Sequence, residues 1–491
     1  MVNTTLSAAG AASRSSDLYR AVWRWHFYAG LIALPFLILL ALTGALYLFR
    51  DEIDGFVHRD VMTVEARTSA PAAPTVLVAA ALAAHPGTVF KYVPPARPTA
   101  SAEVGIKTPA GEKMSVFVDP YDRRVLGEIP DKGTVIWIVR QLHSLSYFGP
   151  VANGVIEIVG GWTILLVGTG VYLWWPRRQA GDRQGGGVVS VRGRPTQRVF
   201  WRDLHAVAGI FAGAFILFLA VTGMPWSVFW GSYVNKWANG TNYGYPAGVY
   251  VDVPMSDLRL SEGGPTSWSL EQAQVPQSSA PGAAHGSGHE SGHGSGHEAA
   301  HGSGHEAVHG GAGGGAAGAG AIDLDAAVAI FDRLGLAKGY AVNPPAGPTG
   351  VYTGTVYPDD LSRQRVVHLD QYSGKPLIDM SYADYGPFGK ALEWGINVHM
   401  GQEFGVANQV VMLAVCVAIV LMAVSAAAMW WKRRPNGSLG VPPMPRDRGV
   451  MRGILAILAV GGIVFPLVGA SLLVMLAFDW LVIRTPRTRR A

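Results

Sequence analysis

Residues 22–44 read VWRWHFYAGLIALPFLILLALTG, and residues 201–223 read WRDLHAVAGIFAGAFILFLAVTG. Laid one over the other, they match His26 with His205, Gly30 with Gly209, and Thr43-Gly44 with Thr222-Gly223. Both His-to-Thr intervals are 17 residues. A second matched pair lies downstream of each. His143 precedes Phe148-Gly149 and Trp174-Trp175, His399 precedes Phe404-Gly405 and Trp430-Trp431, and both His-to-Trp intervals are 31 residues. Between the two segments of each half stands one polar-apolar module, the first carrying Val118-Asp119-Pro120-Tyr121 and the second Leu369-Asp370-Gln371-Tyr372. The unit helix, module, helix therefore occurs twice, and internal symmetry of this kind decides the fold before any single residue does.

Five apolar stretches, at about 27–49, 152–175, 204–230, 405–431 and 453–483, exceed the ~20 residues a helix needs to cross the hydrocarbon core. The composition agrees. Hydrophobic residues are 49% and charged residues 15% of 491, where soluble domains carry about a quarter charged. A soluble enzyme and a disordered chain are both excluded. The first stretch ends in Leu46-Tyr47-Leu48-Phe49-Arg50, not in a small-residue cleavage site, so it reads as a retained span. The fifth reads either as one tilted span or as a hairpin broken near Pro466. Cys416 is the one cysteine and lies in an apolar run. Without a Cys-x-x-Cys pair, redox work by this chain needs a cofactor.

Arginine and lysine set the orientation. Arg14, Arg20 and Arg24, then Arg177 to Arg202, then Lys432 to Arg452 fill short segments that the positive-inside rule places in the cytosol. The net charge of +5 is thus a topology signal, and nucleic acid is not an expected partner. Both halves start on the same side, as in parallel repeats about an axis along the membrane normal. The expected organisation is a cytosolic tail (1–22), a spanning helix (23–50), an outer module (51–140), an outer-face helix with the second span (141–176), a basic loop (177–203) and the third span (204–230). An outer segment follows (231–398), then the fourth span (399–431), a basic loop (432–452) and the C-terminal apolar segment (453–483). The fold class is a mainly α membrane protein with four core helices and two small α+β modules. Helices are expected over Ala72 to Ala84 and Asp323 to Leu334. Strands are expected at Met114 to Val118, Tyr352 to Tyr357 and Arg365 to Leu369.

The chain resembles the PepSY-associated transmembrane family of iron-regulated membrane proteins over about residues 20–434. The resemblance rests on Trp25-His26-x-x-x-Gly30, Leu142-His143, Trp174-Trp175-Pro176-Arg177, Leu204-His205-x-x-x-Gly209 and the two Asp-x-Tyr turns. It implies an inner-membrane haem protein of bacteria with PepSY modules in the periplasm, acting as a ferric-siderophore reductase. PepSY modules also occur in proteins that restrain peptidases.

Seven histidines lie outside a low-complexity tract, and four of them take matched positions at span boundaries. Haem iron takes axial ligands from both faces, and imidazole is a common one. The parallel two-fold axis pairs His26 with His205 toward the cytosol and His143 with His399 toward the outside, which predicts two haem b groups stacked through the bilayer. Pairing His26 with His143 would have to bridge about 30 Å of hydrocarbon. A chain break at Gly149-Pro150 is expected, because His143 to Trp174 is too long for one span. Met224 and Met400 are reserve ligands. Glu157 and Glu403 are candidates for proton traffic, as carboxylates in or near spans.

The tract at 276–320 is rich in glycine, alanine, serine and histidine and is expected to be disordered. Within it His285, His289, His293, His297, His301, His305 and His309 recur every four residues. Such imidazoles suit weak capture of zinc, copper or nickel. Three functions stand side by side. One is a haem b electron carrier that reduces ferric siderophores, fed by a quinol or a cytosolic reductase, since nothing in the chain reads as a dinucleotide fingerprint. The others are a PepSY-based regulator of a peptidase or sensor of a ligand, and a metal-binding protein built on the tract.

Overall fold

A computed structural model of the chain describes residues 2–175 (backbone alone for 2–16), 188–239, 241, 243–245, 253–264, 266–279, 320–435, 439–444, 446–478 and 481. The chain opens with helix α1, Val2–Tyr47, whose part Asp17–Tyr47 is long and apolar enough to cross a membrane. Two short helices follow, α2 (Arg50–Val57) and α3 (Arg59–Met62). The first module is α4 (Pro74–Ala84), β1 (Thr88–Val93), β2 (Ala102–Lys107), β3 (Lys113–Val118) and β4 (Val125–Pro130). Helix α5 (Val135–His143) leads into α6 (Pro150–Trp174). Helix α7 (Arg198–Gly223) then precedes α8 (Trp230–Ala238), β5 (Met255–Arg259), α9 (Leu260–Gly263) and β6 (Gln274–Pro276). The second module is α10 (Leu324–Arg333), β7 (Ala341–Asn343), β8 (Val351–Val356), β9 (Arg365–Asp370) and β10 (Pro376–Ser381). Last come α11 (Pro387–His399), α12 (Val406–Arg433), α13 (Arg448–Val464) and α14 (Pro466–Phe478).

Local chemistry explains these boundaries. Thr134 caps α5, its hydroxyl accepting the Trp137 N–H at 3.3 Å, and Asp323 caps α10 through the Ala326 N–H at 2.8 Å. Pro150, Pro387 and Pro466 each stand in a first turn, where the missing N–H costs nothing. Between α5 and α6 the chain turns sharply, with Gly149 at φ +93°. That backbone strains any residue with a Cβ, and Pro150 starts a new helix immediately after it.

Among the described residues four helical segments are long and apolar enough to cross a membrane: those ending at Tyr47, Trp174, Trp226 and Arg433. They close a ring in which α1 packs on α6, α6 on α7, α7 on α12 and α12 on α1. Helices α1 and α7 are therefore diagonal across the bundle. Helix α5 packs on α1, and α11 on α7.

The sequence suggests two separate modules, but their strands form one antiparallel eight-stranded sheet in the order β10-β9-β8-β7-β1-β2-β3-β4. The halves join through β1 and β7, at Tyr92 opposite Val342. Each module alone would leave an edge strand unpaired, and pairing the two edges satisfies both. The joint core gathers Leu77, Tyr92 and Ile106 from one half with Phe331, Tyr340 and Leu369 from the other. Across it Asp325 of α10 accepts the Thr75 N–H at 2.7 Å and hydroxyl at 2.6 Å at the start of α4.

The two Asp-x-Tyr motifs do the same structural work. Asp119 Oδ1 accepts the Tyr121 N–H at 2.8 Å, and Asp370 Oδ1 accepts the Tyr372 N–H at 3.0 Å. Each tyrosine hydroxyl then donates to a proline carbonyl, Pro98 at 2.8 Å and Pro348 at 2.7 Å. These are Asx turns that fasten a hairpin to the neighbouring loop.

The fifth apolar stretch is a helical hairpin. Helix α13 ends at Val464, α14 starts at Pro466, and the two pack together, α13 also against α1 and α14 against α6. Gly462 and Gly469 let the arms cross closely, since a Cβ on either would stand under 3.0 Å from the other's backbone. Trp162 of α6 donates its indole N–H to the Ser471 hydroxyl at 2.9 Å.

Candidate functional site

Across the diagonal of the bundle, His26 of α1 and His205 of α7 come together with ring centroids 6.4 Å apart and planes at 86°. Each ring leans on a helix other than its own. His26 Nδ1 lies 2.8 Å from the Thr169 hydroxyl of α6. His205 Nδ1 lies 3.0 Å from the Met422 carbonyl and 3.2 Å from the Ser425 hydroxyl of α12.

The other two histidines close α5 and α11 at the end of the bundle that carries the sheet. His143 Nδ1 lies 2.9 Å from the Thr43 hydroxyl of α1, and His399 Nδ1 lies 2.8 Å from the Thr222 hydroxyl of α7. They are within electrostatic reach of each other. Thr43 follows His26 on α1 by 17 residues, as Thr222 follows His205 on α7. At 1.5 Å per residue, the two pairs lie at levels about 25 Å apart.

Glycines bring backbone against the rings. A Cβ on Gly170 would stand 3.5 Å from His26 Cε1, one on Gly44 3.5 Å from His143 Cε1, and one on Gly223 3.8 Å from His399 Cε1. All four histidines are half-buried residues. No Nε2 atom among the four has a hydrogen-bond partner among the described residues.

A haem can be tested against these distances. An imidazole nitrogen binds a metal at about 2.0–2.1 Å, and the ring centre lies about 1.1 Å behind it, so two rings on opposite sides of one metal would have centroids roughly 6.3 Å apart. The His26–His205 separation of 6.4 Å meets that requirement. Among the described residues no three or more His, Cys, Asp or Glu side chains form a cluster for a bare ion.

The other candidates from the sequence, Glu157, Glu403, Met224 and Met400, make contacts of their own. Glu157 is fully buried and accepts the N–H groups of Phe229 at 2.9 Å and Trp230 at 3.2 Å, so it caps the start of α8. Glu403 accepts from the Asn397 amide at 2.6 Å. Met224 is buried, with its sulfur 2.9 Å from where a Cβ on Gly160 would stand, and Met400 ends α11 next to His399. The histidine tract at 285–309 lies outside the described residues. Thr169, Ser425 and Met422 carry contacts that no motif announced. The hint was positional: Thr169 and Ser425 each stand 26 residues after the second histidine of their half.

A family model, the PepSY-associated TM region, matches residues 23–433. No curated protein matches the chain.

Proposed function

The chain belongs to the PepSY-associated transmembrane family, and from that premise we propose that it is a haem b electron carrier of the bacterial inner membrane that reduces ferric siderophores in the periplasm. The observation that carries this reading is the His26–His205 pair, set at metal-sharing distance with both Nε2 atoms unpartnered among the described residues. His26 and His205 would hold one haem, and His143 and His399 a second. Haem supplies reversible one-electron chemistry, which no side chain of this protein offers by itself.

The protein's own residues do the rest. The histidines fix two positions at separate depths within the four-helix ring. The depth of the pairs and the basic loops support an inward-to-outward route, with N-terminus and basic loops in the cytosol. The matched histidines and Asp-x-Tyr turns support a duplicated helix–module–helix unit. A quinol or a cytosolic reductase is the donor. The acceptor is a ferric chelate, which holds iron(II) far less tightly than iron(III) and so releases it. The tract at 285–309 adds weak capture of zinc, copper or nickel outside the membrane.

The test is anaerobic stopped-flow on the detergent-purified chain. Reduced protein should show a haem b Soret band that reverts when a ferric siderophore is added, while a ferrous-specific dye develops colour. A colourless protein, or a reduced one that the chelate leaves unchanged, overturns the proposal.

A further inference from the structure

We propose that Thr43, Thr169, Thr222 and Ser425 are positioning residues that lock the four histidines in one tautomer, with the proton on Nδ1 and the lone pair on Nε2. A hydroxyl owns a single proton and otherwise accepts. Thr43 donates its proton to the Leu39 carbonyl at 2.6 Å, Thr169 to Leu165 at 2.7 Å and Thr222 to Phe218 at 2.8 Å. Ser425 donates to Met422 at 2.8 Å. In each case the acceptor is a carbonyl one turn back on the same helix. With that proton committed, the oxygen can only accept from the imidazole beside it, so Nδ1 must carry hydrogen.

His205 supplies an independent check. Its Nδ1 also lies 3.0 Å from the Met422 carbonyl, which cannot donate at all. Four rings on four helices obey one rule, and every hydroxyl comes from a helix other than the ring's own. Helix α6 holds the ring of α1, α12 that of α7, α1 that of α5, and α7 that of α11.

This arrangement matters for a metal ligand. A neutral imidazole binds through one nitrogen, and the hydrogen bond at the other sets which nitrogen that is, how the ring is aimed and how basic it becomes. The seats therefore present Nε2 at all four positions before any cofactor arrives. The inference deepens the haem proposal by naming what orients its ligands, while the tautomer itself does not depend on haem.

The experiment has two arms on the full-length chain in detergent. In the first, nitrogen NMR of labelled histidine is recorded on haem-free protein, with His→Gln variants assigning the signals. The expected result is Nδ1–H at His26, His143, His205 and His399, with Thr169→Val releasing His26 alone and Thr169→Ser restoring it. Nε2–H at any of the four in the wild-type chain would overturn the lock. In the second, haem-loaded Thr169→Val and Thr43→Val should each weaken retention of one haem, roughly tenfold to a hundredfold, and shift the midpoint potential of that haem only. Thr→Ser should reverse both effects. Valine variants with wild-type tautomers and potentials would reduce these residues to packing. A chain that binds no haem would end the haem proposal while the first arm still decides this one.

Discussion

His368 offers a prediction whose size follows from its surroundings. It sits in β9 with no exposed surface, opposite Thr353 on one side and Ile378 on the other. Its Nδ1 reaches the Thr353 hydroxyl at 2.9 Å, while its Nε2 is buried with no partner. Burial in the sheet holds its pKa down to about 3, against 6.5 for the free side chain. Below 6.5 the unfolded chain takes up a proton that the folded sheet refuses, so stability is whole above that pH and is lost as pH falls toward 3. Each unit in that window costs about 1.4 kcal/mol, and passing from pH 7 to pH 5 costs roughly 2 kcal/mol. The test replaces His368 with phenylalanine. Phe117 stands opposite Glu103 in β3, where the first half of the sheet corresponds to His368 opposite Thr353. Hydrogen exchange of peptides from 351–381 is measured at pH 7 and pH 5 and corrected for intrinsic rates. Wild-type protection should fall by the equivalent of about 2 kcal/mol more than that of His368→Phe. Equal pH responses in the two proteins would refute the reasoning.

Three more predictions concern the bundle and the tract. Gly161→Ala would put a Cβ 2.3 Å from Val468 Cγ2, so it should loosen the α13–α14 hairpin from α6 by about 1–3 kcal/mol. Gly168→Ala, where nothing lies within 4 Å, is the control, and a thermal melt in detergent compares them. Glu157→Ala strips the N–H groups of Phe229 and Trp230 of their acceptor, which should cost about 1–3 kcal/mol and raise exchange at α8. Glu157→Gln keeps an oxygen there and should recover part of the loss. Deleting residues 285–309 should leave chelate reduction intact but lower the number of zinc, copper or nickel ions bound at neutral pH. Acid should mimic the deletion in the full chain, because a protonated imidazole cannot ligate a metal. Metal titration at two pH values checks this.

The spans were legible because an apolar run of fixed length is a local property. The expected stretch 152–175 lies on Pro150–Trp174, and 405–431 on Val406–Arg433. The histidines stood out because a polar ring at a repeated position in an apolar context is rare. Their seats did not. Thr169 is one small residue among Gly168 and Gly170 in the middle of a span, and only the approach of α1 gives its hydroxyl a ring to hold. Glu157 stood out as a carboxylate within a span, but its acceptor contacts were hidden, since the N–H groups it receives belong to residues 72 and 73 positions away. The single sheet was hidden because one pairing between β1 and a three-residue β7 joins the modules, and no short-range pattern encodes it. The hairpin turned on the mutual approach of Gly462 and Gly469, which becomes visible only once the arms are side by side.

Haem content across the four histidine variants tests the central claim most directly. Pyridine haemochrome analysis of the purified chain should give two non-covalent b-type haems, because the chain has one cysteine and it is buried in the bundle. His26→Ala and His205→Ala should each lose the same haem, recognised by its midpoint potential and low-spin spectrum, and His143→Ala and His399→Ala the other. A wild-type chain without haem, or variants of His26 and His143 that abolish one shared signal, would contradict the account.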